Sequence, residues 1–570
     1  MDILAFTMTC FELGDKVLEI CETWKNTDGE VEQRVVIVNS TWDRTKRQAE
    51  FMSRIAPIID DGMRRIMDDL LRQLSLCLTL AMNTLETVNR RASLARPSLW
   101  GFGSRAAKKA SWVWKKETLD SVIIDLEAWK ARFDPSWFLL MKIANPIIDS
   151  ELAKARVAEA EARGRPTAAR HPFAVAAGLR TVVATEPSKI KFDFHKESQM
   201  ERHDIQFSTV KVGRLARDDP RWYILDTVEV GPAARVRDIG RDVRVLATKL
   251  AQTDAFAFGL LNCKGVIAVP RHKPVSSSAA PGHRQPPYLS PPAPSRRSRS
   301  PSPNQHDYTC FRFVFRIPDG VEVEMLRSLR QLLLNSDAHI SLTRKLGMAR
   351  ELAKAVSYVH TFAFVHKNVR PESVLWVEGM RASKSPVFLV GFDAFRGGAA
   401  DTIMAGDMRW DRNVYRHPLR QGNDPAEKYR MHHDIYSLGV CLLEIGLWES
   451  FVEYTTEAEV AGPPQAKLGR TYHHFQEWLR ATEARTGQDG SAGFLDAVAF
   501  RLKDYLVERT KARLAPRMGE KYARVVLSCL TCLDDNNEDF DGAEAADASD
   551  DATALCFIEG IMKALDEISV

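Results

Sequence analysis

The sequence predicts a multidomain protein in which an all-α helical bundle precedes a larger α+β domain. The first 150 residues place apolar residues three or four positions apart and contain few helix breakers. Short β-branched and aromatic runs begin at about residue 200, and beyond residue 340 the chain is again mostly helical. Because 570 residues are too many for one ordinary hydrophobic core, two or three domains are expected.

The composition is that of a globular protein without a strong charge bias. Hydrophobic residues make up 45% and charged residues 27% of the chain, which argues against a fibrous or wholly disordered protein. The formal net charge of +4 is nearly neutral for this length. It therefore argues neither for nor against a polyanionic partner, and any such partner must be recognised by a local patch.

Cysteine usage and targeting signals predict a cytoplasmic protein. The nine cysteines are scattered, and the close pair Cys529 and Cys532 lacks a second pair or nearby histidine that would complete a zinc site. Buried free thiols in a reducing compartment are expected. The N-terminus has no basic region or cleavage site typical of a signal peptide, and no run of about 18 apolar residues predicts a membrane-spanning helix. The protein is expected to be soluble, or at most recruited to a membrane surface.

The predicted bundle covers residues 1–150. TWDRTKRQAEFMSRIAPIIDDGMRRIMDDLLRQLSLCLTLAMNTLETVNRR has helical periodicity throughout, Gly101 and Gly103 mark a break, and SWVWKKETLDSVIIDLEAWKARF resumes the pattern. Four or more packed helices would bury these apolar faces. The Ala-, Arg- and Glu-rich residues 151–199 predict a helical connector.

Strands are predicted from residue 200 onward. DIQFSTVKVGRL, RWYILDTVEVG and FAFGLLNCKGVIAV read as strands, with an amphipathic helix over RVRDIGRDVRVLATKLAQ. Residues 270–307 are rich in Pro, Ser and Arg and cannot bury enough apolar surface to fold. Since CFRFVFRIPDG beyond them is a good strand, they predict a disordered loop inside one domain.

FVHKNVRPESVL, Phe364 to Leu375, resembles the catalytic loop H-R-D-L-K-P-E-N-I-L of protein kinases. The loop positions are occupied here by His366, Lys367, Asn368, Val369, Arg370, Pro371, Glu372 and Ser373. The resemblance covers about residues 200–570 and implies an α+β bilobal protein kinase-like fold, with a small lobe over 200–320 and a large lobe over 321–570. It also implies that Asp434, in DIYSLG, anchors the loop backbone and that Pro418 occupies the A-P-E turn, whose glutamate is replaced by Leu419.

Several residues needed for phosphoryl transfer are replaced. Asn368 stands where the family has a catalytic aspartate, and an amide oxygen has negligible basicity. Of the two implied magnesium ligands, one is Ser373, a weak hydroxyl ligand, and the other is Gly391, which supplies none.

The D-F-G motif is reversed here to Gly391, Phe392 and Asp393. A two-residue offset keeps Asp393 on the same face but displaces it by roughly 6–7 Å, too far for a magnesium ligand without rebuilding the backbone. An atypical metal site at Asp393 stays open as the alternative to a hydrogen-bonded turn. No metal site is predicted.

The small lobe also departs from the family. No glycine-rich G-x-G-x-x-G hairpin precedes residue 230, and WYILDTVEVG, the strand expected to carry the ATP-positioning lysine, has none. Arg241 or Asp242 could mimic the glutamate of the following helix, but without its lysine partner. The combined losses predict that neither ATP nor magnesium is a cofactor and that the domain is not catalytic.

The N-terminal region resembles the HeLo and HeLo-like family of fungal cell-death and prion-inhibition domains, on DLEAWKARFDPSWFLLMK, Asp125 to Lys142, and an N-terminal helix beginning near Phe6. The resemblance implies a bundle held inert until a C-terminal domain releases it to attack membranes. A bundle joined to a defective kinase domain is also similar to the mixed-lineage kinase-like pseudokinase of animal necroptosis. The resemblance therefore implies a fungal protein of that design.

RAAKKASWVWKKE interleaves basic and aromatic residues between positions 105 and 117. Such a segment could lie in a membrane interface, contact nucleic acid, or pack its tryptophans on the bundle while its lysines stay solvated. The candidate residues are Lys108, Lys109, Trp112, Trp114, Lys115 and Lys116. Trp129, Phe133, Trp137 and Phe138 are expected in the core.

The sequence thus predicts a signalling pseudokinase that regulates a helical effector. The alternatives are an atypical active protein Ser/Thr kinase and a non-catalytic scaffold. Protein partners, self-association through the bundle and an anionic membrane surface are expected; nucleic acid is not.

Overall fold

The structure is a computed structural model that describes most of the chain. The described residues are 3–25, 29–59, 61–94, 112–127, 129, 150, 200–214, 221–230, 236–270, 308–335, 340–378, 386–397, 409–422, 425, 427–455, 464–486, 494–540 and 550–568. The predicted connector over 151–199 and nearly all of the predicted insert over 270–307 lie outside these residues.

The N-terminal region is an all-α bundle. Its helices are α1 (Ile3–Glu22), α2 (Gly29–Ile55), α3 (Asp61–Leu94) and α4 (112–127). Each buries an apolar stripe at helical spacing, as Val31, Val35 and Val38 do on α2. The indole N–H of Trp129 donates to the carbonyl of Leu70 on α3 at 2.7 Å, so the region after α4 is tied to α3.

The small lobe is an antiparallel sheet of five strands with the order β1-β2-β3-β5-β4. Its elements are β1 (Glu201–Asp204), β2 (Lys211–Arg214), β3 (Trp222–Glu229), α5 (Val236–Leu250), α6 (Ala255–Phe258), β4 (Cys263–Pro270) and β5 (Tyr308–Arg316). On β3, residues two apart face the lobe interior, and Ile224 and Val228 are buried there opposite Phe315 and Phe311. Helix α5 packs its buried Val243 and Leu246 against this sheet.

The large lobe is mainly helical. It contains β6 (Leu326–Ser328), α7 (Leu329–Leu334), α8 (Leu342–Thr361), β7 (Phe364–Val365), β8 (Val374–Val377), β9 (Val387–Leu389), β10 (Arg396–Gly397), α9 (Trp410–Asn413), α10 (Met431–Leu447), β11 (Val452–Tyr454), β12 (Ala466–Leu468), α11 (Arg470–Thr486), α12 (Phe494–Arg509), α13 (Ala515–Met518), α14 (Glu520–Leu530), α15 (Asp550–Cys556) and α16 (Lys563–Asp566). Every residue of α10 is buried, so this helix is the centre of the lobe.

The order of elements confirms the predicted fold class, an all-α region followed by an α+β bilobal protein kinase-like fold. A five-stranded sheet with one long helix precedes a helical lobe, and the short strands β7, β8 and β9 flank the loop that follows α8. Cys529 and Cys532 are both buried and form no disulfide. None of the described helices is both long and apolar enough to cross a membrane.

Candidate functional site

The backbone of the loop between β7 and β8 is hydrogen-bonded to Asp434, the fourth residue of the buried helix α10. Its carboxylate accepts the backbone N–H groups of His366 at 2.7 Å and Lys367 at 2.8 Å. Lys367 has a positive φ of 63°, a conformation that a non-glycine residue keeps only when its surroundings hold it. Asp434 therefore lies in the anchoring position that the kinase resemblance implies.

Asp434 is fully buried but has partners for its charge. The Tyr429 hydroxyl donates to it at 2.8 Å, and a ring nitrogen of His360 lies 3.2 Å away. Burial alone would raise the pKa of Asp434, but the hydrogen bond and charge of His360 outweigh burial and lower it. The loop is thus fixed by a carboxylate that stays ionised.

Asn368 uses both ends of its side-chain amide inside the protein. Its Nδ2 donates to the carbonyl of Gly391 at 3.1 Å, and its Oδ1 accepts from Nε of Arg370 at 2.7 Å. Ser373 is also turned inward, since its hydroxyl donates to the Asn368 carbonyl at 2.6 Å. The two residues that the kinase resemblance places at the base and metal-ligand positions therefore hold the loop together.

The Gly391–Phe392–Asp393 turn is bound by a residue that sequence reasoning missed. Oδ2 of Asp226, on β3, accepts the backbone N–H of Gly391 at 2.7 Å and that of Phe392 at 2.9 Å. Asp226 lies on the strand where the family carries its ATP-positioning lysine. A signal was present in the sequence, because Asp226 is an acid at the inward-facing, period-two position of WYILDTVEV between Ile224 and Val228.

Burial, together with the nearby carboxylate of Asp393, raises the pKa of Asp226 to about 7, although the backbone N–H bonds from Phe392 and Gly391 oppose the increase. Burial also raises the pKa of Asp393, although Arg370, Arg412 and Arg416 oppose it. Phe392 is buried against Phe313, with the ring centres 6.1 Å apart. The Gly391 turn is therefore bonded to the carboxyl group of Asp226 and packs its Phe392 ring against Phe313.

The β1–β2 loop, residues 205–210, lies inside the cleft between the lobes. The backbone N–H of Thr209 and the hydroxyl of Ser208 both donate to the carbonyl of Glu372, each at 3.1 Å. The ring of Phe207 lies 4.8 Å from that of Tyr454. In the family, the corresponding loop carries the glycines that cover the nucleotide phosphates. Here the backbone of Thr209 and the side chain of Ser208 contact Glu372, in the loop between β7 and β8.

The loop also contacts β6, α7 and the Gly391 turn. The hydroxyl of Ser328 donates to the carbonyl of Gln206 at 2.7 Å, and Gln331 donates to the Gln206 side chain at 2.8 Å. At the other end, a Cβ on Gly391 would lie 2.7 Å from the Thr209 hydroxyl. The loop and the Gly391 turn are therefore in direct van der Waals contact.

Beside this loop, Arg330 forms a buried ion cluster with two carboxylates, which sequence reasoning also missed. Nε of Arg330 lies 3.0 Å from Glu372 and Nη1 lies 2.9 Å from Glu444, all three side chains being almost inaccessible to solvent. Tyr454 donates to Glu372 at 2.7 Å. Burial opposes ionisation of Glu372, but the charge of Arg330 outweighs it and lowers the pKa to about 2.

The remaining candidates lie outside the cleft. Pro418 is buried in a 3₁₀ turn, Pro418–Arg420, where Nδ1 of His417 accepts the N–H of Leu419 at 3.3 Å. On α5, Arg241 lies 3.5 Å from its neighbour Asp242. Among the described residues, no group of three or more His, Cys, Asp or Glu is arranged to hold a metal ion.

The basic and aromatic patch is divided by the bundle. The ammonium groups of Lys115 and Lys116 lie over the rings of Trp24 and Trp112, at 5.3 and 5.1 Å, and Lys116 pairs with Glu30 on α2 at 2.6 Å. Trp114 keeps 40% of its surface exposed. Lys108 and Lys109 lie outside the described residues, as do Phe133, Trp137 and Phe138, whereas Trp129 is in the core as expected.

Comparison with known proteins identifies no family for this chain. No family model matches the sequence, and no curated protein matches it. One chain of a solved structure described as the CAK complex from Chaetomium thermophilum bound to ATP-gamma-S is similar, with 14% sequence identity and a TM-score of 0.32. The similarity covers 63% of this chain and 92% of that one.

Proposed function

We propose that this chain is a signalling pseudokinase whose kinase-like domain regulates the N-terminal helical bundle. The proposal rests mainly on the contacts that the chain makes in the cleft between its two lobes. The chain's own β1–β2 loop is hydrogen-bonded to Glu372 within it, and Asp226 binds the Gly391 turn from the position where a kinase would hold phosphates with a lysine. Asp226 supplies no cation to hold a triphosphate, and a loop bonded into the cleft must be displaced before any nucleotide enters.

Among the described residues, the two at the positions of the kinase base and of one magnesium ligand are both engaged within the loop. The amide of Asn368 and the hydroxyl of Ser373 are already bonded within the loop, so neither is free for a substrate hydroxyl or a magnesium ion. Neither ATP nor magnesium is expected as a cofactor. The kinase fold would then act through its shape, as a regulatory and protein-binding domain.

Thermal unfolding of the full chain with ATP, with and without magnesium, tests this half of the proposal. We expect no change in the melting temperature under either condition, because a ligand that does not bind the folded state cannot stabilise it. A magnesium-dependent rise in melting temperature would instead favour the atypical kinase, and autophosphorylation lost in Asp393→Ala would establish it.

The effector half of the proposal assigns the bundle a membrane-directed, cell-death-related role after recruitment from the cytoplasm, with self-association and protein partners. It rests on the resemblance of the bundle and on Trp114, which is exposed beside Lys115 and Lys116. We expect full-length protein to leave vesicles containing anionic lipid intact and residues 1–150 to release their contents. No leakage from residues 1–150 at high protein concentration would contradict this role, and the scaffold would become the better description.

A further inference from the structure

The C-terminal helical segment, residues 550–566, is an integral part of the large lobe. Its Phe557, Ile561 and Leu565 are almost fully buried. Arg350 on α8 donates to the carbonyl of Leu565 at 3.0 Å and to that of Asp566 at 3.2 Å. The end of the segment is therefore fixed to the lobe and moves with it.

The outer side of this segment touches the bundle. Nζ of Lys563 donates to Oδ2 of Asp69, on α3, at 2.6 Å, although the two residues are 494 positions apart. Arg65 lies one turn before Asp69 on α3, and Glu559 lies about one turn before Lys563. Burial raises the pKa of Glu559, while Arg65 and Lys563 oppose the increase. Helix α3 thus presents Arg65 and then Asp69, whereas the C-terminal segment presents Glu559 and then Lys563. Along the contact, each cation therefore lies near an anion of the other partner.

The contact is suited to opening and closing. The side chains of Lys563 and Asp69 keep 40% and 45% of their surface exposed. Exposed ion pairs contribute roughly 0–1 kcal/mol and weaken with salt, because water and ions screen them. Interfaces between domains of one chain are also commonly weak enough to allow relative motion. A small change in the large lobe could therefore release α3.

We propose that the face of α3 carrying Arg65 and Asp69 is a reversible docking surface, and that its partner is the C-terminal helical segment of the same chain. The segment couples the two domains, because Arg350 fixes it to the large lobe and Lys563 fixes it to the bundle. The regulatory purpose of this contact rests on the proposed function. The contact itself is seen in the structure and does not depend on the proposed function.

Charge reversal in the full chain tests the proposal. Lys563→Glu places a carboxylate against Asp69, so we expect a larger radius of gyration in solution scattering and faster proteolysis within residues 151–199, by up to about fivefold. The exchange D69K/K563E restores an ion pair of reversed direction and should return both measurements to the wild-type values. Raising the salt concentration from about 50 to about 500 mM should produce the same opening in the wild type.

Lys521→Glu is the matched control. Lys521 lies on the same lobe, is 57% exposed and pairs at 4.0 Å with Glu567 of its own domain, so its reversal should leave the domain separation unchanged. If Lys563→Glu lowers folded yield, Asp69→Lys tests the same contact from the bundle side. The proposal is wrong if both single variants keep the wild-type radius of gyration, or if the exchange fails to restore it.

The two proposals can fail separately. Scattering and proteolysis report the domain contact without reference to membranes, whereas vesicle leakage reports the effector role. Opening of the domains without leakage would retain the docking surface and remove the effector role. Leakage by residues 1–150 without any effect of Lys563→Glu on domain separation would retain the effector role and remove the docking surface.

Discussion

At Asp226 a single acidic side chain stands where the kinase resemblance predicts a lysine, and the neighbouring backbone is bonded to it. A lysine at this place on β3 would point an ammonium group at phosphates. The carboxyl group instead accepts the N–H groups of Gly391 and Phe392, so the turn is bonded to the sheet. The side chain at this position therefore gives the turn a hydrogen-bond partner within the protein.

Four buried histidines in the large lobe predict that stability falls in mild acid. Burial lowers the pKa of His366 and His432 to about 4 and that of His417 to about 3, and it lowers the pKa of His433 well below its ordinary value. Unfolded histidine has a pKa of about 6.5, so below that pH the unfolded chain binds protons that the folded chain does not. The stability is fully present above about pH 6.5 and is lost as the pH falls toward 4, by at most about 1.4 kcal/mol per pH unit for each histidine.

Asp226 opposes this trend and provides the control. Its folded pKa of about 7 lies above the ordinary value of about 3.9, so between these values the folded state binds the extra proton and gains stability as the pH falls. We expect the melting temperature of the wild type to fall from pH 7 to pH 5, that of Asp226→Asn to fall more steeply, and that of His432→Gln to fall less steeply. A melting temperature constant over this range would contradict the prediction.

Arg330 predicts a large loss of stability on truncation. Arg330→Ala leaves Glu372 and Glu444 buried without their cation, and breaking a buried ion pair in this way costs roughly 3–5 kcal/mol. Chemical unfolding of the full chain measures the loss. Arg327→Ala is the control, since that side chain is 33% exposed and its pair with Glu378 at 3.1 Å should contribute less than about 1 kcal/mol. Equal losses in the two variants would show that the cluster has no special role.

At the scale of elements, the β1–β2 loop and the Gly391 turn are built against each other. Gly391 has a φ of 83°, and an added Cβ would lie 2.7 Å from the Thr209 hydroxyl and 2.8 Å from Cβ of Ser373. We expect Gly391→Ala to lower the free energy of unfolding by roughly 2–4 kcal/mol, from backbone strain and overpacking together. Denaturant unfolding of the full chain would measure it.

Two variants separate the strain from the crowding. Gly320 has a similar φ of 82° with nothing within 4 Å of its added Cβ, so Gly320→Ala isolates the conformational cost, about 1 kcal/mol. Removing the hydroxyl in T209A/G391A should recover part of the loss of Gly391→Ala, because the two sites share one contact. Additive losses in the double variant would mean that the loop does not press on the turn.

At the scale of the whole molecule, the lobes are held closed by several independent contacts. The hydrogen bonds of Asp226 join β3 to the Gly391 turn. Those of Ser208 and Thr209 join the β1–β2 loop to Glu372. Tyr454 contacts both Phe207 and Glu372. Closure is therefore distributed over the fold rather than fixed by one substitution. The domain coupling through Lys563 and Asp69 acts on this closed unit.

Restoring the family's residues should consequently not restore nucleotide binding. We expect the variant Asp226→Lys/Asn368→Asp, once circular dichroism shows it folded, to have no magnesium-dependent rise in melting temperature with ATP, because the loop at residues 205–210 is still bonded to Glu372. A magnesium-dependent rise in this variant alone would show that the two side chains, and not the loop, exclude nucleotide.

The sequence by itself determined the fold class and which residues differ from the kinase loop that it resembles. Helical spacing before residue 150 and the DIYSLG helix indicated the bundle and the large lobe, because apolar periodicity and a buried helix are local properties. The sequence also showed that Asn368, Ser373 and Gly391 differ from the residues of the kinase motifs. Residue type alone was enough for this, because it decides whether a group can accept a proton or bind a metal.

Only the tertiary structure decided what those positions do instead. The bonds between Asp226 and Gly391, between Thr209 and Glu372, and between Arg330 and Glu372 join residues 42 to 165 positions apart. No local pattern encodes such pairs, because they depend on how the sheet and helices bring distant loops together. The ion pair of Lys563 with Asp69 is the extreme case, and the packing of two separate domains alone creates it.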